Sequence, residues 1–235
     1  MKTLIELDKL KVTLDKKYYK YVGNAPAVKF LGGNFKIRQD ESLLLETSGK
    51  INCSPTDYGA ITEENVDILL DKLAKNYDLK IDIHALMNFA TVCRIDVKKD
   101  VNLEFEPYKY ISMLQEMLKK HTGRYEITTY ESNLGFKNSI LIKPIHQKVA
   151  DSFSIYSKHR ELQAHKAQYK EYIAQFDPEF LAQTKNLIRN ERRLNSFAAI
   201  RKAFRIDRKK GEVTPQEILG SNVDVVTEKL QEFIF

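Results

Sequence analysis

The stretch "RYEITTYESNLGFKNSILIKPI", residues 124–145, decides the fold class of this chain. Both ends of the stretch alternate between apolar and polar residues, as half-buried β-strands do. Between them lies "NLGFKN", residues 133–138, which has the asparagines and the glycine of a hairpin-like turn. We therefore predict two strands joined as a hairpin, and hairpin-joined strands are antiparallel.

Helices are predicted on the N-terminal side of this hairpin. The segment "EPYKYISMLQEMLKKHTG", residues 106–123, has Pro107 where a helix would start and Gly123 where it would end. Apolar residues recur at helical spacing within it. The segment "TEENVDILLDKL", residues 62–73, also has helical spacing, and we expect Thr62 to be its N-cap.

Further strands are predicted on both sides of the hairpin. The segment "FATVCRIDV", residues 89–97, is a compact β-branched run, and "SFSIYSK", residues 152–158, alternates. The segment "TKNLIRNERRL", residues 184–194, fits either a strand or a helix. Helices mixed with hairpin-joined strands indicate an α+β fold with an antiparallel (mixed) sheet covered by helices on one face.

We expect the chain to divide into three segments. Residues 1–60 would be a β-rich N-terminal part of the same domain as residues 61–206, which would form the α+β core. Residues 207–235 would be a C-terminal tail with a short helix.

The basic charge of the chain is concentrated in one segment. The net charge is +6, yet residues 156–211 hold 14 Lys and Arg against 6 Asp and Glu. Such a segment suggests a polyanionic partner, although a solvated basic helix face is the common alternative. No apolar run has the roughly 20 residues of a membrane span, and the charged N-terminus excludes a signal peptide.

Several kinds of functional site have no support in the sequence. Neither a Walker-type phosphate loop nor a dinucleotide-binding glycine motif is present. The two cysteines, Cys53 and Cys93, give neither a disulfide framework nor zinc spacing, which fits a reducing, cytosolic setting. The histidines do not form paired metal motifs, so His146 is at most a solitary ligand.

Three polar clusters remain as candidates for chemistry. In "CRIDVKKD", Asp96 lies in a predicted buried strand, where an acid must be paired or bound to metal. Arg94 shares its face of the strand at a spacing of two residues, so Asp96 is either its ion-pair partner or a divalent-metal ligand.

The second cluster is "LIRNERRL", in which Glu191 lies among Arg189, Arg192 and Arg193. This pattern is either a surface salt-bridge network or an inward-pointing metal ligand with arginines placed for phosphate. Mg²⁺ and Mn²⁺ prefer such carboxylate oxygens.

The third cluster is "SIYSKHREL", residues 154–162, which contains Tyr156 and Lys158. A free tyrosine, with a pKa of about 10, is a poor nucleophile at neutral pH unless positive charge lies close by. Lys158 would share the face of Tyr156 if the strand continued. Alternatively, Tyr156 is an interfacial tyrosine with a packed ring and a hydrated hydroxyl.

In this order, "VCRIDVKKDV", "FSIYSKHREL" and "LIRNERRL" resemble the rolling-circle replication initiators of small phages and plasmids. These are the replication proteins of the filamentous-phage gene II and X kind and the related plasmid initiator-transferases. The resemblance covers about Thr91–Arg205 and implies a replication-initiator or relaxase-like palm, with residues 61–206 as the catalytic core.

The resemblance also implies roles for individual residues. Tyr156 would attack a DNA phosphodiester and become linked to the 5′ phosphate, while Lys158 would offset the charge of the transition state. Asp96 and Glu191 would hold Mg²⁺ or Mn²⁺. The residues expected to support the site or contact DNA are Arg94, Glu161, Arg189, Arg192, Arg193 and His146.

The partner implied by the resemblance is replication-origin DNA, single-stranded or supercoiled, in the cytoplasm of a bacterial host. A host helicase and a second copy of the chain are further candidate partners, and no membrane is expected. The chain lacks the His-hydrophobic-His metal motif of many such enzymes, which leaves a binding-only relative open. The alternatives are therefore a non-enzymatic nucleic-acid-binding protein and a metal-dependent nuclease that uses water.

Overall fold

The computed structural model describes residues 5–30, 33–49, 60–121, 123–131, 137–146, 151–164, 178–207 and 212–234. The strands are β1 (Leu7–Leu14), β2 (Tyr19–Tyr21), β3 (Ala27–Phe30), β4 (Gly33–Ile37), β5 (Leu43–Ser48), β6 (Leu79–Ile81), β7 (Thr91–Asn102), β8 (Tyr125–Glu131), β9 (Lys137–Pro144), β10 (Asp151–Ser157) and β11 (Leu187–Leu194). The α-helices are α1 (Val66–Tyr77), α2 (Ile83–Phe89), α3 (Pro107–Leu118), α4 (Lys158–Ala164), α5 (Pro178–Gln183), α6 (Phe197–Phe204), α7 (Pro215–Leu219) and α8 (Val225–Ile234). Antiparallel strand pairs combined with helices confirm the predicted α+β class.

The chain forms two compact units, which are described separately. The first contains the described residues within Met1–Cys53, Asp57–Val97 and Leu194–Asp224. The second contains those within Lys98–Arg193 and Val225–Phe235. Strand β7 contributes its first part to one unit and its last part to the other. The predicted division into three segments stays a prediction, and its last segment contains both α7 and α8.

In the first unit, the strands lie in the order β3-β4-β5-β1-β7, and β2 and β6 form a separate two-stranded sheet. Alternate residues of β1 are buried, and Val12 faces Leu45, which in turn faces Phe35 on the next strand. These cross-strand apolar pairs hold the sheet together. The amphipathic helix α1 buries one leucine-rich face.

The start of α1 differs from the expectation that Thr62 is the N-cap. The helix begins at Val66, and its N-cap is Asn65. The Asn65 side chain accepts a hydrogen bond from the Thr62 amide at 2.9 Å and donates one to the Ala60 carbonyl at 2.8 Å. The residues from Thr62 to Asn65 therefore form a turn before the helix, because the asparagine amide can satisfy groups on both sides of it.

In the second unit, the strands lie in the order β7-β11-β10-β9-β8. The predicted hairpin is confirmed by the antiparallel pairing of β8 with β9, and its turn at residues 132–136 lies outside the described part. Helix α3 packs on β9 and β10, as well as on α8. Phe233 of α8 makes edge-to-face contacts with Tyr125 of β8 and Phe153 of β10, at centroid distances of 5.0 and 5.5 Å. Helix α8 therefore covers the face of the sheet that contains Phe153.

Two predicted elements have clearer bounds in the structure. The ambiguous segment 184–194 contains strand β11, which begins at Leu187. Strand β7 continues to Asn102, five residues beyond the predicted end at Val97. No helix in the described ranges is both long and apolar enough to cross a membrane.

Candidate active site

The hydroxyl of Tyr156 contacts the carboxylate of Glu191. The two residues lie on neighbouring strands of the second unit, Tyr156 on β10 and Glu191 on β11. In β10, Phe153 and Ile155 are buried, whereas Tyr156 points to the other face and is half-buried. The tyrosine hydroxyl donates a hydrogen bond to Glu191 Oε2 at 3.0 Å. Tyr156 is thus positioned by sheet alternation and oriented by a carboxylate.

Glu191 is a buried acid with partners on both of its oxygens. Its residue is 7% exposed, and a charged carboxylate at that depth is costly unless it is paired. The guanidinium of Arg193 donates to Oε1 at 3.4 Å, while Tyr156 donates to Oε2. Arg193 stands two residues from Glu191 on the same strand face, and its side chain is 38% exposed. This exposure leaves the guanidinium within reach of a ligand in the adjacent space.

Lys158 does not lie on the strand with Tyr156, which corrects the reasoning that placed both on one strand face. Strand β10 ends at Ser157, and Lys158 is the first residue of α4. The lysine is 1% exposed, and its ammonium group donates to Glu161 Oε2 at 2.6 Å, one helical turn further on. The turn of helix therefore brings together two residues that the resemblance singled out.

A further ion-pair cluster lies on β7 and β11, and sequence reasoning missed its acid, Asp100. Arg189 is 2% exposed and binds both oxygens of Asp100, at 2.7 Å each. The ammonium nitrogen of Lys98 lies 3.8 Å from the same carboxylate. Burial pushes the pKa of Asp100 upward, but Arg189, Lys98 and Lys158 together hold that pKa below its ordinary value. The influence of Lys158 on the pKa links this cluster electrostatically to α4.

A signal for Asp100 exists in the sequence. The prediction ended the strand at Val97, but the alternation that places Arg94 and Asp96 on one face continues through Lys98 to Asp100 in "RIDVKKD". Following that period for two more steps would have added both residues to the candidates.

An open cleft of about 410 Å³ lies next to Tyr156 and Glu191. Arg193, Arg160 and Glu161 also line it, as does Tyr130 of β8. The nucleophile candidate, a buried acid and two arginines therefore share one solvent-accessible space. A phosphate group in this cleft would meet fixed positive charge.

Two of the predicted DNA-contacting residues lie elsewhere in the second unit. Arg192 points away from Glu191, is buried, and binds both oxygens of Asp151 at 3.1 and 2.7 Å. Its third contact is a 2.9 Å bond to the carbonyl of Val225, the first residue of α8. This pattern is that of a structural tie between the sheet and a helix. His146 is exposed just beyond the end of β9.

Arg94 and Asp96 belong to the first unit and pair with each other. Arg94 Nε lies 3.0 Å from Asp96 Oδ1, and Nη2 lies 2.9 Å from Oδ2. Asp96 has no exposed surface, so this two-point ion pair stabilises the charged carboxylate. The pairing that the sequence offered as one alternative is present, and the metal role of Asp96 stays a prediction.

The described ranges contain no group of three or more His, Cys, Asp or Glu side chains that could hold a metal ion. The donor chemistry of the predicted ligands nevertheless fits Mg²⁺ or Mn²⁺, because both are carboxylates. Mg²⁺ commonly binds proteins through one or two carboxylates and keeps several of its waters.

The sequence profile Phage_CRI, which describes the N-terminal region of a replication-associated protein of phages, matches residues 53–209. This chain belongs to that family. The match spans well over half of the chain and includes Asp96, Tyr156 and Glu191. The resemblance to rolling-circle replication initiators is therefore confirmed, and the protein acts in the initiation of rolling-circle replication.

Other comparisons add less. A search of curated proteins gives no match. Among solved structures, the chain is similar to a rolling circle replication initiator protein from Geobacillus stearothermophilus, at 12% identity and a TM-score of 0.40. That alignment covers 98% of this chain and 96% of the other.

Proposed function

We propose that this member of the Phage_CRI family nicks and rejoins origin DNA through a covalent link between Tyr156 and the 5′ phosphate. The observation that supports the proposal is the 3.0 Å hydrogen bond from the Tyr156 hydroxyl to Glu191 beside an arginine-lined cleft. A nucleophile that is held by a base and faces an open space meets the geometric requirement for covalent catalysis.

In the proposed step, the Tyr156 oxygen attacks the phosphorus atom of a DNA phosphodiester. The new tyrosyl O–P bond forms as the bond from phosphorus to the 3′ oxygen breaks. The tyrosine proton passes to Glu191, and the leaving oxygen takes a proton from solvent to become the 3′-OH primer. Rejoining reverses these steps and needs no nucleotide cofactor, because the phosphodiester bond energy is kept in the phosphotyrosine.

Glu191 is a weak base for a phenol. Tyrosine has a pKa of about 10 and glutamate one of about 4.3, so full proton transfer before attack is unfavourable. The transfer must accompany O–P bond formation, when the phenol oxygen loses its negative charge to phosphorus. Positive charge next to the phosphate lowers the barrier further, and Arg193 and Arg160 line the cleft where it would bind.

Lys158 contributes through its fixed position at the start of α4. It is buried and paired with Glu161, whose carboxylate also lines the cleft. The pair would hold a positive charge close to the negative charge that develops on the phosphate, as the resemblance implies. Arg189 and Asp100 would support this arrangement from the neighbouring strands.

The proposal includes the divalent metal, with Asp96 and Glu191 as its ligands. When bound, Mg²⁺ or Mn²⁺ would polarise the scissile phosphate. We expect Asp96→Ala and Glu191→Ala each to remove the stimulation of cleavage by the metal. Cleavage at full rate in the presence of EDTA would contradict the metal requirement.

The proposal is tested with supercoiled DNA that carries a candidate origin, incubated with the protein and Mn²⁺. Tyr156→Phe should abolish the nicked product while DNA binding survives. Tyr130→Phe is the matched control, because Tyr130 lines the same cleft, and it should nick normally. Nicking by Tyr156→Phe without any adduct would instead indicate a nuclease that uses water.

A further inference from the structure

A second cleft, of about 510 Å³, lies in the first unit and is lined by lysines and aromatic rings. It is built from two short segments, "KKYYKY" at residues 16–21 and "LKIDIHALMNF" at residues 79–89. The first supplies β2 and the residues before it, and the second supplies β6 and α2. None of the motifs that carry the family resemblance lies in these segments.

The two strands of this cleft place like charges opposite each other. Strands β2 and β6 pair antiparallel, and the register puts Lys20 directly across from Lys80. Both lysines are exposed, and neither has an ion-pair partner among the residues that the structure describes. Directly opposed like charges destabilise a strand pair. An arrangement that costs stability in the free protein becomes favourable when a polyanion lies across both lysines.

Aromatic rings stand beside these lysines. The ring of Tyr18 stacks on that of Phe89, with centroids 5.2 Å apart and planes 12° from parallel. The ammonium of Lys17 lies 4.7 Å from the Tyr18 centroid, and His84 contacts the edge of Phe89. Phe89 is 51% exposed despite its size. The stack is thus an open aromatic platform with positive charge on one side.

Among the described residues that line this cleft, the one acid is already engaged. Asp82 accepts a hydrogen bond from the Ala85 amide at 2.7 Å and caps α2. Against it stand Lys17, Lys20 and Lys80. The cleft is therefore positively charged overall, which favours a ligand with several negative charges.

We propose that this lysine-aromatic cleft binds single-stranded DNA, with phosphates on Lys20 and Lys80 and a base stacked at Phe89. Proteins that bind single strands without sequence preference combine these two elements, a basic track for the backbone and aromatic rings for the bases. A duplex keeps its bases stacked inside and cannot use the ring. The cleft would hold unwound strand, and this role goes beyond the chemistry proposed for Tyr156.

The test measures the binding of fluorescein-labelled oligothymidine by anisotropy across a range of salt concentrations. All proteins carry Tyr156→Phe, so that no covalent adduct forms and the result does not depend on nicking. The double variant Lys20→Gln/Lys80→Gln should weaken binding severalfold and reduce the log–log salt slope by about 1.4, or about 0.7 for each lost phosphate contact. The same variant should melt at a slightly higher temperature than its parent, because the opposed charges are gone.

The matched control is Lys36→Gln/Lys75→Gln, which removes two exposed lysines of the same unit that do not line the cleft. It should leave the salt slope unchanged. Phe89→Ala should weaken oligothymidine binding about tenfold or more but leave binding to a duplex of equal length nearly unchanged. Equal losses in the control and cleft variants, or equal losses for duplex and single strand, would overturn the proposal. Retention of a DNA adduct by Tyr156→Phe would overturn the proposed nucleophile and leave these affinities interpretable.

Discussion

The hydroxyl of Tyr156 and the carboxylate of Glu191 are joined by a 3.0 Å hydrogen bond between neighbouring strands, although 35 residues separate them in sequence. Each residue alone has an ordinary structural explanation, as a half-buried tyrosine and as an acid in a salt-bridge network. Their contact at an open cleft is what makes a chemical role specific.

The carboxylate of Glu191 should matter more to the rate of nicking than to DNA binding. Glu191→Gln keeps an oxygen that can accept the tyrosine hydrogen bond but cannot take its proton. We expect the single-turnover nicking rate to fall by about 10²-fold or more, the usual size of general-base effects. Glu126→Gln, an exposed change on β8, is the control and should nick at the normal rate. If Glu191→Gln retained the normal rate, Glu191 would not be the proton acceptor.

The two neighbouring arginines of β11 should have different roles. Arg193 is partly exposed in the cleft, so Arg193→Gln should weaken DNA binding and lower its salt dependence. Arg192 is buried against Asp151 and Val225, so Arg192→Met should instead destabilise the fold, by about 3–5 kcal/mol in urea unfolding. A normal stability for Arg192→Met with a loss of DNA affinity would reverse this assignment.

The pair formed by Arg189 and Asp100 should be a main electrostatic contribution to stability in the second unit. Arg189→Met leaves the Asp100 carboxylate buried without its two-point partner, which should cost about 3–5 kcal/mol in the free energy of unfolding. The double change Arg189→Met/Asp100→Asn should recover part of that loss. Lys119→Met, which breaks an exposed pair with Glu116, should cost less than about 1 kcal/mol and serves as the control. Similar losses for the buried and exposed pairs would contradict the prediction.

Asp100 should also make stability depend on pH in the acid range. Its pKa in the folded protein lies below its ordinary value, so the ionised carboxylate stabilises the fold. That contribution is fully present above the unfolded pKa of about 3.9 and is lost as the pH falls through the lower folded pKa. Urea unfolding of the wild type and Asp100→Asn at a series of acid pH values measures this difference. The stability gap between the two proteins should shrink as the pH falls below about 4, and a constant gap would refute it.

Local sequence patterns predicted the elements better than they predicted where the elements end. The alternation in residues 124–145 identified the β8–β9 hairpin, and the proline at residue 107 identified the start of α3. The end of β10 at Ser157 was missed because "YSKHREL" has polar residues that suit a strand end and a helix start equally. Tertiary packing decides between the two.

The candidate site was only partly predictable, for a related physical reason. Alternation within one strand gave the Arg94–Asp96 pair, since both partners lie on a single element. The contacts of Arg189 with Asp100 and of Arg192 with Asp151 join residues 89 and 41 positions apart, and no local pattern contains that information. Before the fold was known, the three arginines of "RNERR" were therefore equivalent, although one pairs inward with Asp100, one ties down α8 and one faces the cleft.

The most direct test of the account is to find the residue that becomes linked to DNA. The protein is incubated with origin DNA and Mn²⁺, the DNA is digested, and the peptides are sequenced by mass spectrometry. The account predicts a 5′-linked nucleotide on the peptide that contains Tyr156, and its complete loss in Tyr156→Phe. Cleavage of the origin with the nucleotide on another residue, or on none, would contradict it.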